Sequence, residues 1–189
     1  RLVALAWHPD YLCGIDIVDT SDKGPALVHE LQGCLTAQEQ HTVAGLCAAQ
    51  QLRYVCVLFA CKEAVLKAVG VGLSRELCDV SFAPEVPVCW AEEGLLESCS
   101  DAVLCRVQDS ESTGLWCLHA QWIDAHFLVT ALGSVGAAVD RQGLFVRSFT
   151  APAVQCPLDV LSVLPCCEWL AVQQLVPPAL LQEYCSTFH

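Results

Sequence analysis

Positive charge is scarce in this sequence of 189 residues, which has 9 Lys and Arg against 21 Asp and Glu and a formal net charge of −12. A nucleic-acid-binding surface needs basic residues to neutralise phosphates, so we exclude nucleic acid as a partner. Charged residues of both signs make up only 16% of the chain, whereas hydrophobic residues make up 54%. This composition predicts one domain with a sizeable core.

Long apolar runs, a secretory signal and methionine are also absent. No run reaches the ~18 residues that a membrane span needs, and no N-terminal segment has the composition of a signal peptide. We therefore expect a soluble, cytoplasmic protein with no membrane partner. Because the chain begins at Arg1 and contains no Met, we also expect it to be a fragment or a processed form of a larger product.

Cysteine is abundant, but its 14 residues include no C-x-x-C pair, which disfavours a zinc ribbon or a thioredoxin-type site. Many of the cysteines fall on apolar faces. We interpret them as small buried hydrophobic residues in a reducing compartment, with a disulfide framework as the alternative. A cysteine-rich metal or redox protein therefore stays open as one class of function.

A long helix is predicted from about Gln51 to Val69, with Gly70 as its C-terminal stop. Apolar positions recur at steps of four and three, which is one face of a helix. Glu63 falls within that apolar stripe, where a carboxylate needs a cation, a metal or a hydrogen-bonded partner. Lys67 lies one turn further on; from this spacing alone, a solvated Glu63–Lys67 ion pair is the alternative.

A short strand is predicted from Leu12 to Val18, because apolar and β-branched residues dominate the segment. Alternation places Asp16 on the same face as Gly14, in the middle of an apolar strand. We interpret Gly14 as leaving room for a ligand to approach the backbone. One misplaced carboxylate on a strand and another on a helix indicate a shared hard cation such as Mg²⁺, although Asp16 capping a turn is the alternative.

The remaining pattern predicts an α+β fold in which a mostly antiparallel sheet of three to five strands packs on the long helix. The helices expected before it are a short one at 26–32 and one that begins with a capping box at Thr36 and runs to about Ala49. A strand at 2–7 is expected to pair with 12–18 as a hairpin. Further strands are expected near 79–82, 102–107, 115–121, 126–132 and 144–149, with a loop at 133–136. We assign residues 1–133 to one domain and 134–189 to a C-terminal extension.

Two segments together resemble a known family. Gly14-Ile15-Asp16, followed by Phe-Ala-Cys-Lys-Glu-Ala-Val-Leu-Lys at 59–67, is similar to the two-part signature of the 4′-phosphopantetheinyl transferases. The 47 residues from Asp16 to Glu63 are a usual separation for that family. Gly-Val-Gly-Leu at 70–73 resembles the longer, surfactin-synthetase-activating type, and the segment 122–132 looks most like its eukaryotic members.

The resemblance implies transfer of the phosphopantetheine arm of coenzyme A to a serine of an acyl or peptidyl carrier protein, with Mg²⁺. By match to the motif, Asp16 and Glu63 are the metal ligands and Lys67 contacts the coenzyme A phosphates. Glu63, or a water on the metal, accepts the serine proton. Lys62 and Arg75 are further candidate cations for the pyrophosphate, with a solvated side chain as the alternative for Lys62.

The same resemblance implies a pseudo-dimer of two similar halves with the active site between them. In the longer type an upstream half holds coenzyme A, and we expect this chain to be the metal-binding half. A non-catalytic carrier- or partner-binding module is therefore the alternative function. Val18 stands where longer bacterial members often place a third carboxylate, and a water on Mg²⁺ is expected to complete the shell.

Overall fold

The computed structural model describes residues 4, 6, 12–92, 101–108 and 113–134. The strand expected at 144–149 and all of the C-terminal extension except its first residue lie outside the described part, as does the strand expected at 2–7 apart from residues 4 and 6. Within it, three α-helices and five strands form in the order β1, α1, α2, α3, β2, β3, β4, β5. The chain therefore combines helices with an antiparallel sheet, which confirms the predicted α+β class.

The helices are α1 (Ala26–Glu30), α2 (Ala37–Ala44) and α3 (Ala48–Val69). The capping box at Thr36 opens α2 as expected, but α2 ends before Ala49: its C-cap is Gly45, whose N–H turns back to the carbonyl of Thr42. Gly70 ends α3 with a φ of 79°, the left-handed conformation that favours glycine, as predicted. No helix in the described ranges is long and apolar enough to cross a bilayer.

Helix α3 is buried more completely than one apolar stripe predicts. Twelve of its 22 residues are buried, including every residue from Tyr54 to Leu58 and from Ala60 to Leu66. A helix that is buried on most of its circumference must be covered by more than one layer. Consistent with this, α3 contacts β1 and β5 of the sheet and also α1, α2 and the 3₁₀ turns that follow it.

The sheet has the strand order β1-β5-β4-β3-β2, and all neighbouring strands are antiparallel. The strands are β1 (Leu12–Asp19), β2 (Ser81–Ala83), β3 (Asp101–Gln108), β4 (Thr113–Ile123) and β5 (His126–Ser134). The expected loop at 133–136 is wrong for its first two residues, which extend β5. That extension lets β5 pair with β1 over the full length of β1, from Leu12 opposite Gly133 to Asp19 opposite His126.

The core lies between α3 and one face of the sheet. Its aromatic part is a cluster in which Trp122 and Phe127 have ring centroids 5.1 Å apart and Trp90 and Phe127 have centroids 6.4 Å apart. The indole N–H of Trp122 donates to the carbonyl of Trp90 at 2.8 Å, so this buried polar group is satisfied. The sheet thereby becomes a fixed support for α3 and for the side chains at its C-terminal half.

Candidate active site

Gly14 sets the distance between β1 and α3. A Cβ atom at this position would lie 2.0 Å from the carbonyl oxygen of Ala64 and 2.6 Å from the backbone nitrogen of Ala68. Only a glycine allows the strand to cross the helix so closely. The space that we assigned to a ligand is therefore filled by α3, and our interpretation of Gly14 is corrected on this point.

The close crossing brings Asp16, two residues further along β1, to Lys67 on α3. The ammonium of Lys67 donates to Oδ1 of Asp16 at 2.5 Å. The side chain of Asp16 is only 10% exposed, whereas that of Lys67 is 47% exposed. Lys67 therefore reaches over a buried carboxylate from the solvent side.

Glu63 lies one turn before Lys67 and is 7% exposed. Burial raises the pKa of the Glu63 carboxyl; the charge of Lys67 opposes this shift and the charge of Asp16 adds to it. The three side chains thus share one electrostatic environment. The predicted partners Asp16, Glu63 and Lys67, from a strand and a helix 47 residues apart, are brought to one place.

Positive charge is deficient at this place. Among the described residues, buried Oδ2 of Asp16 and buried Oε1 of Glu63 have no hydrogen-bond partner. One lysine faces two carboxylates, and a buried carboxylate oxygen without a partner is costly. The site therefore fits one additional hard cation, because hard cations prefer oxygen ligands such as these two carboxylates.

The donor set also restricts which cation fits. Across residues 12–92, 101–108 and 113–134, no group of three or more His, Cys, Asp or Glu side chains is placed to hold a metal ion. Mg²⁺ is commonly bound by one or two carboxylates and keeps several waters, so two carboxylates fit it. A tetrahedral zinc site, which needs three or four protein ligands, does not fit these residues.

The neighbouring acidic and apolar positions on β1 take no part in the pair. Val18 is half-buried and packs against the core, so no third carboxylate stands on this face. Asp19 is exposed; its carboxylate accepts from the backbone N–H and the hydroxyl of Ser21 at 2.9 and 2.6 Å, and these bonds lower its pKa. Asp19 thus points away from the site, as the alternation of the strand predicts.

Lys62 is placed differently from the prediction. It is 0% exposed, and its ammonium donates to Oε2 of Glu39 and to the carbonyls of Cys34 and Leu77. An ammonium has three N–H donors, so none is left for a phosphate. The geometry is therefore at odds with a coenzyme A contact by Lys62 and also with the solvated alternative. Arg75 is half-buried beyond the C-terminus of α3.

Sequence reasoning missed Glu39. The capping box at Thr36 identifies it as a helix-capping residue, and that role is confirmed by the bond from the N–H of Thr36 to its carboxylate at 2.7 Å. Nothing in the local pattern indicates that the same carboxylate receives a lysine 23 residues away. The capping-box pattern itself, an acid in the first turn of a short helix, is the signal that the sequence contains.

The described cysteines are free thiols, and several are buried. Burial raises the pKa of Cys56 and Cys117 to about 11 and that of Cys105 to about 12, and it raises the pKa of Cys61 well above its ordinary value. These thiols are protonated at neutral pH and hence poor nucleophiles. Cys61, beside Glu63 in sequence, therefore has the packing role that we expected.

A sheet-supported helix thus presents two under-neutralised carboxylates and a lysine, an arrangement that fits one hard cation. Comparison with known proteins gives a family match for the segment that holds these residues. The family model of the 4′-phosphopantetheinyl transferase superfamily matches the sequence of residues 12–99, which include β1 and all of α3.

A curated relative gives a more particular match. The holo-[acyl-carrier-protein] synthase of Halalkalibacterium halodurans is 41% identical over 69 residues, which cover 33% of this chain and 56% of that protein. The chain thus spans little more than half the length of this relative. The resemblance drawn from residues 14–16 and 59–67 is therefore supported at the level of the superfamily.

Proposed function

We propose that this chain is the metal-binding half, residues 1–133, of a 4′-phosphopantetheinyl transferase. The reaction moves the phosphopantetheine arm of coenzyme A to a serine of a carrier protein. The observation on which this rests is the pair of buried, unpartnered carboxylate oxygens on Asp16 and Glu63 beside Lys67. These residues lie within the segment 12–99 that matches the superfamily.

The proposed reaction is a displacement at phosphorus. The serine oxygen bonds to the pyrophosphate phosphorus nearest the pantetheine arm, and the bond from that phosphorus to the bridging oxygen breaks. Adenosine 3′,5′-bisphosphate leaves with the electron pair of the broken bond, and the serine hydroxyl loses its proton. The residues must therefore bind a pyrophosphate, receive a proton and stabilise negative charge on the leaving group.

Each side chain of the site has one of these tasks. Asp16 and Glu63 would hold Mg²⁺, which when bound neutralises charge that develops on the pyrophosphate. Lys67 is half-exposed, so its ammonium can turn from Asp16 to a phosphate oxygen at the surface. The carboxylate of Glu63, which lies beside Asp16 and Lys67, would accept the serine proton.

The acidity of the chain supports a site that is shared with a second half. A net charge of −12 disfavours an anionic coenzyme, so the pyrophosphate needs further cations beside Lys67. Arg75 is one candidate on this chain, and the upstream half of the longer type would supply others. Because residues 122–132 resemble the eukaryotic aminoadipate-semialdehyde dehydrogenase phosphopantetheinyl transferases most, we propose that this protein is of their type and acts in the cytoplasm.

Isothermal titration with coenzyme A, with and without Mg²⁺, tests the proposal on this chain and on a version extended upstream. We expect Mg²⁺-dependent binding that is lost in Asp16→Asn and in Glu63→Gln. Asp19→Asn is the matched control, because it removes an exposed carboxylate from the same strand. Binding that is unaffected by Mg²⁺, or equal in all three variants, would overturn the assignment.

Transfer itself is measured by mass spectrometry of an apo carrier protein after incubation with coenzyme A and the upstream-extended protein. Glu63→Gln should abolish the mass increase while its circular dichroism spectrum stays that of the wild type. A near-normal rate in this variant would show that the role given to Glu63 is wrong. Carrier binding without coenzyme A binding in the extended protein would instead support the non-catalytic module.

A further inference from the structure

Lys62 and Glu39 form a buried ion pair directly beside the proposed site. Both side chains are almost fully buried, at 0% and 6% exposed, and Nζ lies 2.6 Å from Oε2. We infer that Lys62 is a positioning residue that fixes the direction of Glu63, and that it does not bind coenzyme A. This inference rests on the proposed function and adds a residue to it.

The contacts of Lys62 join three separate parts of the chain to α3. Besides Glu39, the ammonium donates to the carbonyl of Cys34 at 2.9 Å and to that of Leu77 at 3.0 Å. Cys34 ends a 3₁₀ turn before α2, and Leu77 begins another turn after α3. One ammonium thus fastens α3 to segments that precede and follow it in sequence.

The bonds of Lys62 also constrain Glu63, because Lys62 and Glu63 are adjacent on α3. Neighbouring residues of an α-helix point about 100° apart, so fixing the rotation of α3 at Lys62 also fixes where Glu63 points. Gly14 holds the helix at a set distance from β1. The crossing at Gly14 thus sets the distance between α3 and β1, and the bonds of Lys62 add a constraint on the rotation of α3 about its axis.

Glu39 links the bonds of Lys62 to helix α2. Its Oε2 accepts from the N–H of Thr36 at 2.7 Å and from Lys62 at 2.6 Å, so the capping box and the ion pair share one oxygen. An apolar pair could stabilise such a core equally well, but it could not bond to two carbonyls.

Two substitutions separate positioning from stability. Lys62→Met removes the ammonium and leaves Glu39 a buried carboxylate without its cation, so we expect a loss of stability. In Lys62→Met/Glu39→Gln both charges are gone while the glutamine oxygen can still accept from Thr36, so we expect stability to recover. Chemical unfolding of the full-length protein measures both, and Lys23→Met, at an exposed lysine, is the matched control.

Coenzyme A titration with Mg²⁺, below the unfolding transition, then gives the decisive comparison. Because the double variant cannot bond to the carbonyls of Cys34 and Leu77, we expect its affinity to stay at least about tenfold weaker than that of the wild type, as for other supporting residues of metal sites. Lys23→Met should bind like the wild type. If the double variant recovered both its stability and its affinity for coenzyme A, the positioning role would be overturned and Lys62 would have a role in stability only.

Two further measurements do not depend on coenzyme A binding. If the wild type binds no coenzyme A, the proposed function fails. The positioning role of Lys62 is then tested by the ¹³C NMR signal of the Glu63 carboxyl, which is identified by its absence from the spectrum of Glu63→Gln. This signal should shift in the double variant, and an unchanged signal would overturn positioning. If no Lys62 variant folds, amine acylation of the wild type decides: Lys62 should be at least tenfold slower than Lys67 without ligand, and equal rates would overturn the inference.

Discussion

Substituting Gly14 tests the geometry on which the site depends. In Gly14→Ala the new Cβ would meet the carbonyl oxygen of Ala64 at 2.0 Å, the nitrogen of Ala68 at 2.6 Å and the Cβ of Ala68 at 2.9 Å. Ordinary contacts need about 3.5 Å, so β1 and α3 must separate by about 1.5 Å. Two of the three atoms are backbone, so no side-chain rotation relieves the overlap.

The expected cost follows from this overlap. Overpacking a core typically costs about 1–3 kcal/mol, and we expect the upper end because the helix must move as a body. A loss of about 3 kcal/mol lowers the Tm of a chain of this size by about 6–12 °C. Separation of β1 from α3 also moves Asp16 away from Glu63, so Mg²⁺-dependent coenzyme A binding should weaken in the same variant.

Thermal and urea unfolding followed by circular dichroism measure this effect. Gly33→Ala is the matched control, because a Cβ there has no atom within 4 Å. Adding Ala68→Gly to Gly14→Ala should restore little, since it removes only one of the three contacts and leaves both backbone atoms in place. If Gly14→Ala unfolds within about 0.5 kcal/mol of Gly33→Ala, the close crossing of strand and helix is refuted.

Three further predictions concern charge and thiol reactivity. Burial raises the pKa of Glu63 in the folded protein, so the wild type loses stability as the pH rises through that pKa and Glu63 ionises. Glu63→Gln has no charge to bury, and in urea unfolding at pH 8 it should be more stable than the wild type, on the order of 1 kcal/mol. This advantage should be lost below about pH 4.5, where the wild-type carboxyl is protonated in both states. An equal difference in unfolding free energy between Glu63→Gln and the wild type at both pH values would contradict this prediction. Lys67→Met should lower coenzyme A affinity about tenfold in calorimetry and also lower stability by roughly 1–3 kcal/mol, because the Asp16 carboxylate, only 10% exposed, loses the ammonium from which it accepts; unchanged affinity would remove Lys67 from the site. In native alkylation at pH 8 read by mass spectrometry, exposed Cys47 should react before Cys61 and Cys105, and simultaneous reaction would contradict their burial.

The core of the site could be predicted because its residues break the pattern around them. Asp16 interrupts an apolar strand and Glu63 an apolar helix face, and each anomaly is visible from short-range periodicity alone. Lys67 follows from the helical step of four. The stop at Gly70 was equally local, because a glycine after a periodic run is a common helix end.

Lys62 could not be assigned in the same way. Its position about 100° from Glu63 indicates solvent or a ligand if α3 is covered on one face only. The structure covers α3 on several sides, and the acceptors of Lys62 come from residues 15, 23 and 28 positions away in sequence. Whether a lysine is free or bonded in the core depends on what packs over it, and no local pattern contains that.

Within the described residues, the sequence by itself determined most of the strands and helices and which carboxylates are out of place, because side-chain direction follows from backbone periods of 2.0 and 3.6 residues. Only the tertiary structure decided that β1 pairs with β5, that Gly14 makes room for α3, and that Lys62 belongs to Glu39. These are contacts between residues far apart in the chain. They form only when the whole sheet closes over the helix, so their partners are selected by packing and not by neighbouring sequence.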